Sequence, residues 1–228
     1  MNTLTTLLGL DTPPIAIAFC ATAPAGVPRV DKAAPAACSY WKRAQAGEVF
    51  YTEAADQKGC PVGAHTHGVP LSDDDKKGLE GLVGTMVGLE YLTMAEIPQI
   101  PTRKGAFGVV VYAPLDKLPS VAGLAADVVM VRGNVRQLML LTEAAQSAGV
   151  GSGSPTMGRP TCAVMPDAMN TQHTAASFGC IGNRVYTGLG DGEGYFAIPA
   201  DKLAAVEARL AVVVRANAEL EKFHQARV

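Results

Sequence analysis

No Cys-x-x-Cys pair occurs in these 228 residues, which removes the usual signature of zinc ribbons, thioredoxin-like redox sites and ferredoxin-type cluster runs. The GxxxxGK[ST] phosphate loop and the calcium-loop pattern are missing too. The stretch GLGDGEG, with Asp191 and Glu193, therefore reads as a hairpin turn. Positive charge is not in excess: 19 Lys and Arg stand against 21 Asp and Glu, a net charge of −2. Without a basic stripe there is no electrostatic footprint for nucleic acid or an anionic membrane. No run reaches the roughly 18 uninterrupted apolar residues of a spanning helix. The best candidate, Leu203 to Val214, is broken by Glu207 and Arg209. The opening MNTLTTLLGLDTPP has no Lys or Arg and only a brief apolar run, so it does not read as a secretory signal. The expectation is a cytoplasmic protein with no nucleic-acid or membrane partner.

What is present is a chain able to bury a substantial core. Hydrophobic residues make up 48% and charged residues 18%, proportions of a packed globule. Short apolar runs bounded by proline or glycine predict strands at Ile15–Cys20, Glu48–Thr52, Phe107–Tyr112, Asp127–Val131, Thr174–Phe178 and Tyr195–Ile198. Helices are expected after Asn2, Pro35, Asp73, Val135, Pro160 and Pro199. Helical and strand patterns alternate without strict βαβ order, which predicts a mixed α/β (α+β) fold in a single domain over residues 1–228. The glycine-rich stretch Gly149–Gly158 reads as a loop at the edge of a site. The segment Leu79–Leu92, rich in small and apolar residues, suits close packing inside the core or against a second copy in a homo-oligomer.

Five cysteines occur: Cys20, Cys38, Cys60, Cys162 and Cys180. An odd number in a chain read as unsecreted points to thiols. Four of them fall into two matching settings, which suggests internal repeat halves over 11–124 and 125–228. Cys38 and Cys162 each follow a proline at a helix start, where free N–H groups favour a thiolate. Cys60 and Cys180 each follow a glycine in a turn that ends a strand, and the later segments PLDKL and PADKL also correspond. Cys20 has no counterpart and reads as a core residue. Soft thiolates select iron–sulfur clusters, zinc or copper(I). Beside them, Trp41, Arg159 and Arg184 are candidates to wall a pocket, with the arginines suited to an anionic ligand. His65 and His67 read as surface histidines in a glycine-rich loop.

The segments PIAIAF, CSYWKRA, GCPVG, GRPTCA, FGCIGNR and YFAIP together resemble the domain-of-unknown-function 169 family, across essentially the whole chain. The resemblance implies a stand-alone prokaryotic protein whose shared pattern includes Cys38, Cys60, Cys162 and Cys180; it implies no particular activity. The leading expectation is a cysteine-ligated metal protein holding an iron–sulfur cluster, a 4Fe-4S cubane, in a redox or electron-transfer role with a partner protein or a small-molecule ligand. A thiol-dependent enzyme acting on a small molecule, and a metal- or haem-binding module without turnover, are the alternatives.

Overall fold

Alternation of apolar side chains along short strands builds a sheet whose two faces are both covered. The computed structural model describes residues 2–151 and 159–227. In chain order the elements are α1 (Thr3–Leu8), β1 (Ile15–Cys20), α2 (Ala37–Gln45), β2 (Phe50–Glu53), α3 (Pro61–Thr66), α4 (Asp73–Gly88), β3 (Val109–Pro114), α5 (Leu118–Ala122), β4 (Val128–Asn134), α6 (Val135–Ser147), α7 (Val164–Thr171), β5 (Ala175–Ser177), α8 (Ile181–Thr187), β6 (Glu193–Pro199) and α9 (Leu203–Gln225). No helix among the described residues is long and apolar enough to cross a membrane.

The six strands form one sheet in the order β2-β3-β1-β4-β6-β5, with every pairing antiparallel. The order is symmetric about the central β1–β4 pair. In each half the chain lays down an inner strand, then the edge strand, then the strand between them. Side chains alternate across the pleat. Ile15 and Ile17 of β1, Val128 and Met130 of β4, and Tyr195 and Ala197 of β6 face the layer of α2 and α7. Val129, Val131, Phe196 and Ile198 face the opposite way, onto α1, α6 and α9. On that same side of β1 and β3, Ala16, Ala18, Val111 and Ala113 pack on Leu118 of α5.

Two aromatic side chains anchor α2 to the sheet. Tyr40 donates to the Asp56 carbonyl at 2.5 Å and packs on Tyr112, while Trp41 meets the Tyr195 ring edge-on at 5.2 Å. Both are fully buried, so truncating either costs about 3–5 kcal/mol.

The mixed α/β, single-domain expectation agrees with this architecture. The local differences have physical reasons. The two glycine-cysteine turns are not plain turns, because each starts a helix, α3 or α8. The helix after Pro160 opens as a 3-10 turn, Thr161–Ala163, before α7. Helix α4 runs unbroken through its glycines for 16 residues, started by a capping box in which Ser72 and Asp75 bond reciprocally. Of the loop expected at Gly149–Gly158, residues 152–158 lie outside the described residues. Cys20 is only half-buried, at the end of β1.

Candidate functional site

Four cysteines reach one cavity because each sits at or near the start of a helical turn. Cys38 is the second residue of α2, which has no side-chain cap. Cys60 is the N-cap of α3, and its sulfur accepts the Gly63 N–H at 3.4 Å. Cys180 is the N-cap of α8 and accepts the Asn183 N–H at 3.5 Å. Cys162, in the 3-10 turn before α7, receives the Thr66 hydroxyl of α3 at 3.2 Å. The Cys180 N–H donates to Thr161 Oγ1 at 2.5 Å, tying the start of α8 to the turn that carries Cys162.

Two glycines make this assembly sterically feasible. A side chain at Gly59 would strike the Ala34 carbonyl, so the Cys60 turn lies backbone against backbone on the approach to α2. Gly179 has φ +85°, and a side chain there would strike Leu189.

Two of the thiols, Cys38 and Cys162, feel the charge of the others. Burial pushes Cys38 up to about 12; the Asn183 side chain opposes this, and negative charge at Cys180 and Cys60 adds to it. Burial also pushes Cys162 up, the Thr66 hydroxyl opposes it, and charge at Cys60, Cys180 and Cys38 adds to it. Alone, then, Cys38 and Cys162 stay protonated at neutral pH and are poor nucleophiles. The Thr66 hydroxyl also lies 3.0 Å from the Gly63 carbonyl. Its single proton serves one acceptor at a time, and a negative sulfur is the stronger draw. Asn183 is 2% exposed; its amide acts on the Cys38 charge, yet neither Nδ2 nor Oδ1 has a formed hydrogen bond among the described residues.

All four thiols line a cavity of about 870 Å³, a size typical of small-molecule sites. One wall is the apolar stripe of α4, Leu79, Leu82, Val83 and Met86, spaced as one helix face requires. Among the polar lining residues are His65, Glu80, Glu96, Asp167 and Asn183. Tyr91 also lines it: burial raises its phenol, as does charge at Cys180, while Arg159 and the Ile181 N–H act in the other direction. No group of three or more His, Cys, Asp or Glu side chains among the described residues is arranged to hold a single metal ion.

The other candidate residues divide. Arg159 does line the cavity, but it pairs with Glu96 at 3.1 Å and lies over the Tyr91 ring at 4.8 Å. Trp41 is buried beneath α2 against Tyr195 and is not a lining residue. The Arg184 guanidinium donates to the Phe178 and Gly190 carbonyls at 2.6 and 3.0 Å, bracing the Gly179–Cys180 turn from outside the cavity. His65 is exposed at the cavity wall, whereas His67 is fully buried, with Nδ1 3.0 Å from Gln57 Oε1. The surface reading of His67 is therefore corrected: it ends α3 on a face turned into the core. Glu193, read as part of a turn, starts β6 and pairs with Arg132 of β4 at 2.5 Å. Tyr91, Asp167 and Asn183 escaped the sequence reading because nothing in their local context separates them from ordinary helix and loop residues.

Comparison with known proteins adds one finding. No curated protein and no solved structure matches the chain. The family described as uncharacterised ArCR, DUF169, matches over residues 3–209. That span takes in the whole sheet and all four cavity thiols, and the chain belongs to the DUF169 family.

Proposed function

We propose that the protein is a cytoplasmic redox protein that holds an iron–sulfur cluster, a four-iron cubane, on Cys38, Cys60, Cys162 and Cys180. One observation carries the reading: four thiols from four separate helical starts line one cavity, and charge at its neighbours reaches Cys38 and Cys162. Every sulfur also has a polar neighbour suited to a negative charge. The Gly63 N–H, the Asn183 N–H and the Thr66 hydroxyl bond Cys60, Cys180 and Cys162, and the Asn183 amide acts on the charge of Cys38 without a formed hydrogen bond. Hydrogen bonds of this kind steady thiolate ligands and tune the potential of what they hold. Iron would replace the protons that burial otherwise keeps on Cys38 and Cys162. A lone zinc ion fits less well, since tetrahedral ligation at ~2.3 Å needs sulfurs about 3.8 Å apart, and no such gathering exists among the described residues. Bound there, the cluster would supply one-electron chemistry next to an apolar chamber.

Oxygen-free purification or reconstitution with iron and sulfide tests the proposal. The expected result is a brown protein whose visible absorption bleaches with dithionite. A colourless protein after reconstitution would reject it. If activity instead followed one thiol while the other three could be replaced freely, the thiol-enzyme reading would take over.

A further inference from the structure

The thiols form part of the cavity wall, and much of the remainder is apolar. On α4, Leu79, Leu82, Val83 and Met86 face this space, and the helix has no fully buried residue. It therefore does not exist to fill the core; its apolar stripe closes a chamber. The charges that reach the chamber are unbalanced. Glu80, Glu96 and Asp167 stand against the single guanidinium of Arg159, and that guanidinium is already engaged by Glu96 and the Tyr91 ring. Asp167 is the informative member. It is 8% exposed, on the first turn of α7, and no hydrogen bond or ion pair of its carboxylate is formed among the described residues; burial raises its pKa, and the charge of His173 opposes this. A carboxylate drawn this far out of water gains from an added donor. The amide of Asn183, 2% exposed and without a formed hydrogen bond among the described residues, lines the same space. Among the described lining residues, an anionic ligand would meet more carboxylates than cations. An amine with an apolar body would bury that body on α4 and give Asp167 a donor.

We infer that the chamber between the thiols and α4 binds a small organic cation, an amine with an aromatic or branched aliphatic body, whose ammonium group is held by Asp167. The inference rests on the proposed cluster only for what the thiols hold, and a cluster on four thiolates would add to the negative field.

Three probes of one shape test it: 1-naphthylmethylamine, 1-naphthalenemethanol and 1-naphthoate, titrated calorimetrically into the reconstituted full-length protein at neutral pH. The amine should bind at least about tenfold more tightly than the naphthoate, the scale of one charged hydrogen bond. Asp167→Asn should remove that preference while leaving the alcohol unchanged. Leu82→Trp, on a helix with no buried residue, should fill the chamber and weaken both amine and alcohol. Asp201→Asn, a remote surface charge control, should change nothing. Equal or tighter binding of naphthoate, absence of binding by all three probes, or an Asp167→Asn protein that still prefers the amine would overturn the inference. So would an equal effect of Asp201→Asn. Iron and sulfide are assayed on the same samples. Iron-free protein that keeps the amine preference rejects the cluster alone; iron-loaded protein without the preference rejects the chamber alone.

Discussion

His67 shows how much a single position can depend on tertiary setting. Burial, with the Arg103 charge adding, pulls its pKa down to about 3 from the usual 6.5. Between those values the unfolded chain binds a proton that the folded chain refuses, so stability rises with pH across that window. The contribution is fully present above about pH 6.5 and is lost as pH falls toward 3, at about 1.4 kcal/mol per pH unit where the difference is a whole proton. Urea melts of wild type and His67→Gln from pH 7 to 4 should show a shallower acid limb in the variant, whatever its offset at pH 7. Parallel limbs would mean that His67 titrates normally. Nothing in the local sequence announces this residue. It reads as one more polar side chain beside a glycine, and only the packing of α3 turns it inward. The four cavity thiols were more legible, because proline, glycine and cysteine recur in matching order in both halves. Asn183 and Tyr91 were not, since their importance comes from which space they face.

At the scale of elements, strands were the most readable, because short apolar runs between prolines and glycines have few other uses. Helices α3 and α8 were missed because they are only six or seven residues long and are capped by cysteine, which is not among the usual N-cap residues; Pro61 at the first position of α3 was the one start signal present. Yet those two short helices aim two of the four sulfurs. Their dependence on glycine gives a paired prediction. Gly179→Ala places a side chain at φ +85° against Leu189 and should cost well over about 1 kcal/mol. It should also lower iron retention, by moving the Cys180 turn. Gly81→Ala points into open space in the interior of α4 and should stabilise the protein by up to about 1 kcal/mol. Thermal melts with iron analysis check both. A harmless Gly179→Ala would show that the turn is not held as described.

The whole molecule is two halves of one sheet joined at β1–β4, with two thiols from each half on the same cavity. Cys60 and Cys162 are 102 positions apart (162 − 60), so a ligand bound to both closes a long loop, and its binding energy becomes folding energy. Removing the metal anaerobically with a chelator should lower the melting temperature of the entire domain, by about 2–4 °C for each kcal/mol lost. Amide exchange should rise together in α2, α3, α7 and α8. Loosening confined to one half would show that the halves are not tied through the cavity. The symmetric strand order was not readable from sequence, because strand pairing depends on long-range contacts that a local pattern does not encode. Most direct for the central claim is the iron and acid-labile sulfide content of anaerobically reconstituted protein, compared across five single Cys→Ser variants. The account predicts about four of each per chain in wild type, the same in Cys20→Ser, and loss at Cys38, Cys60, Cys162 and Cys180 alike. Iron-free wild type, or full retention in any of those four variants, would contradict it.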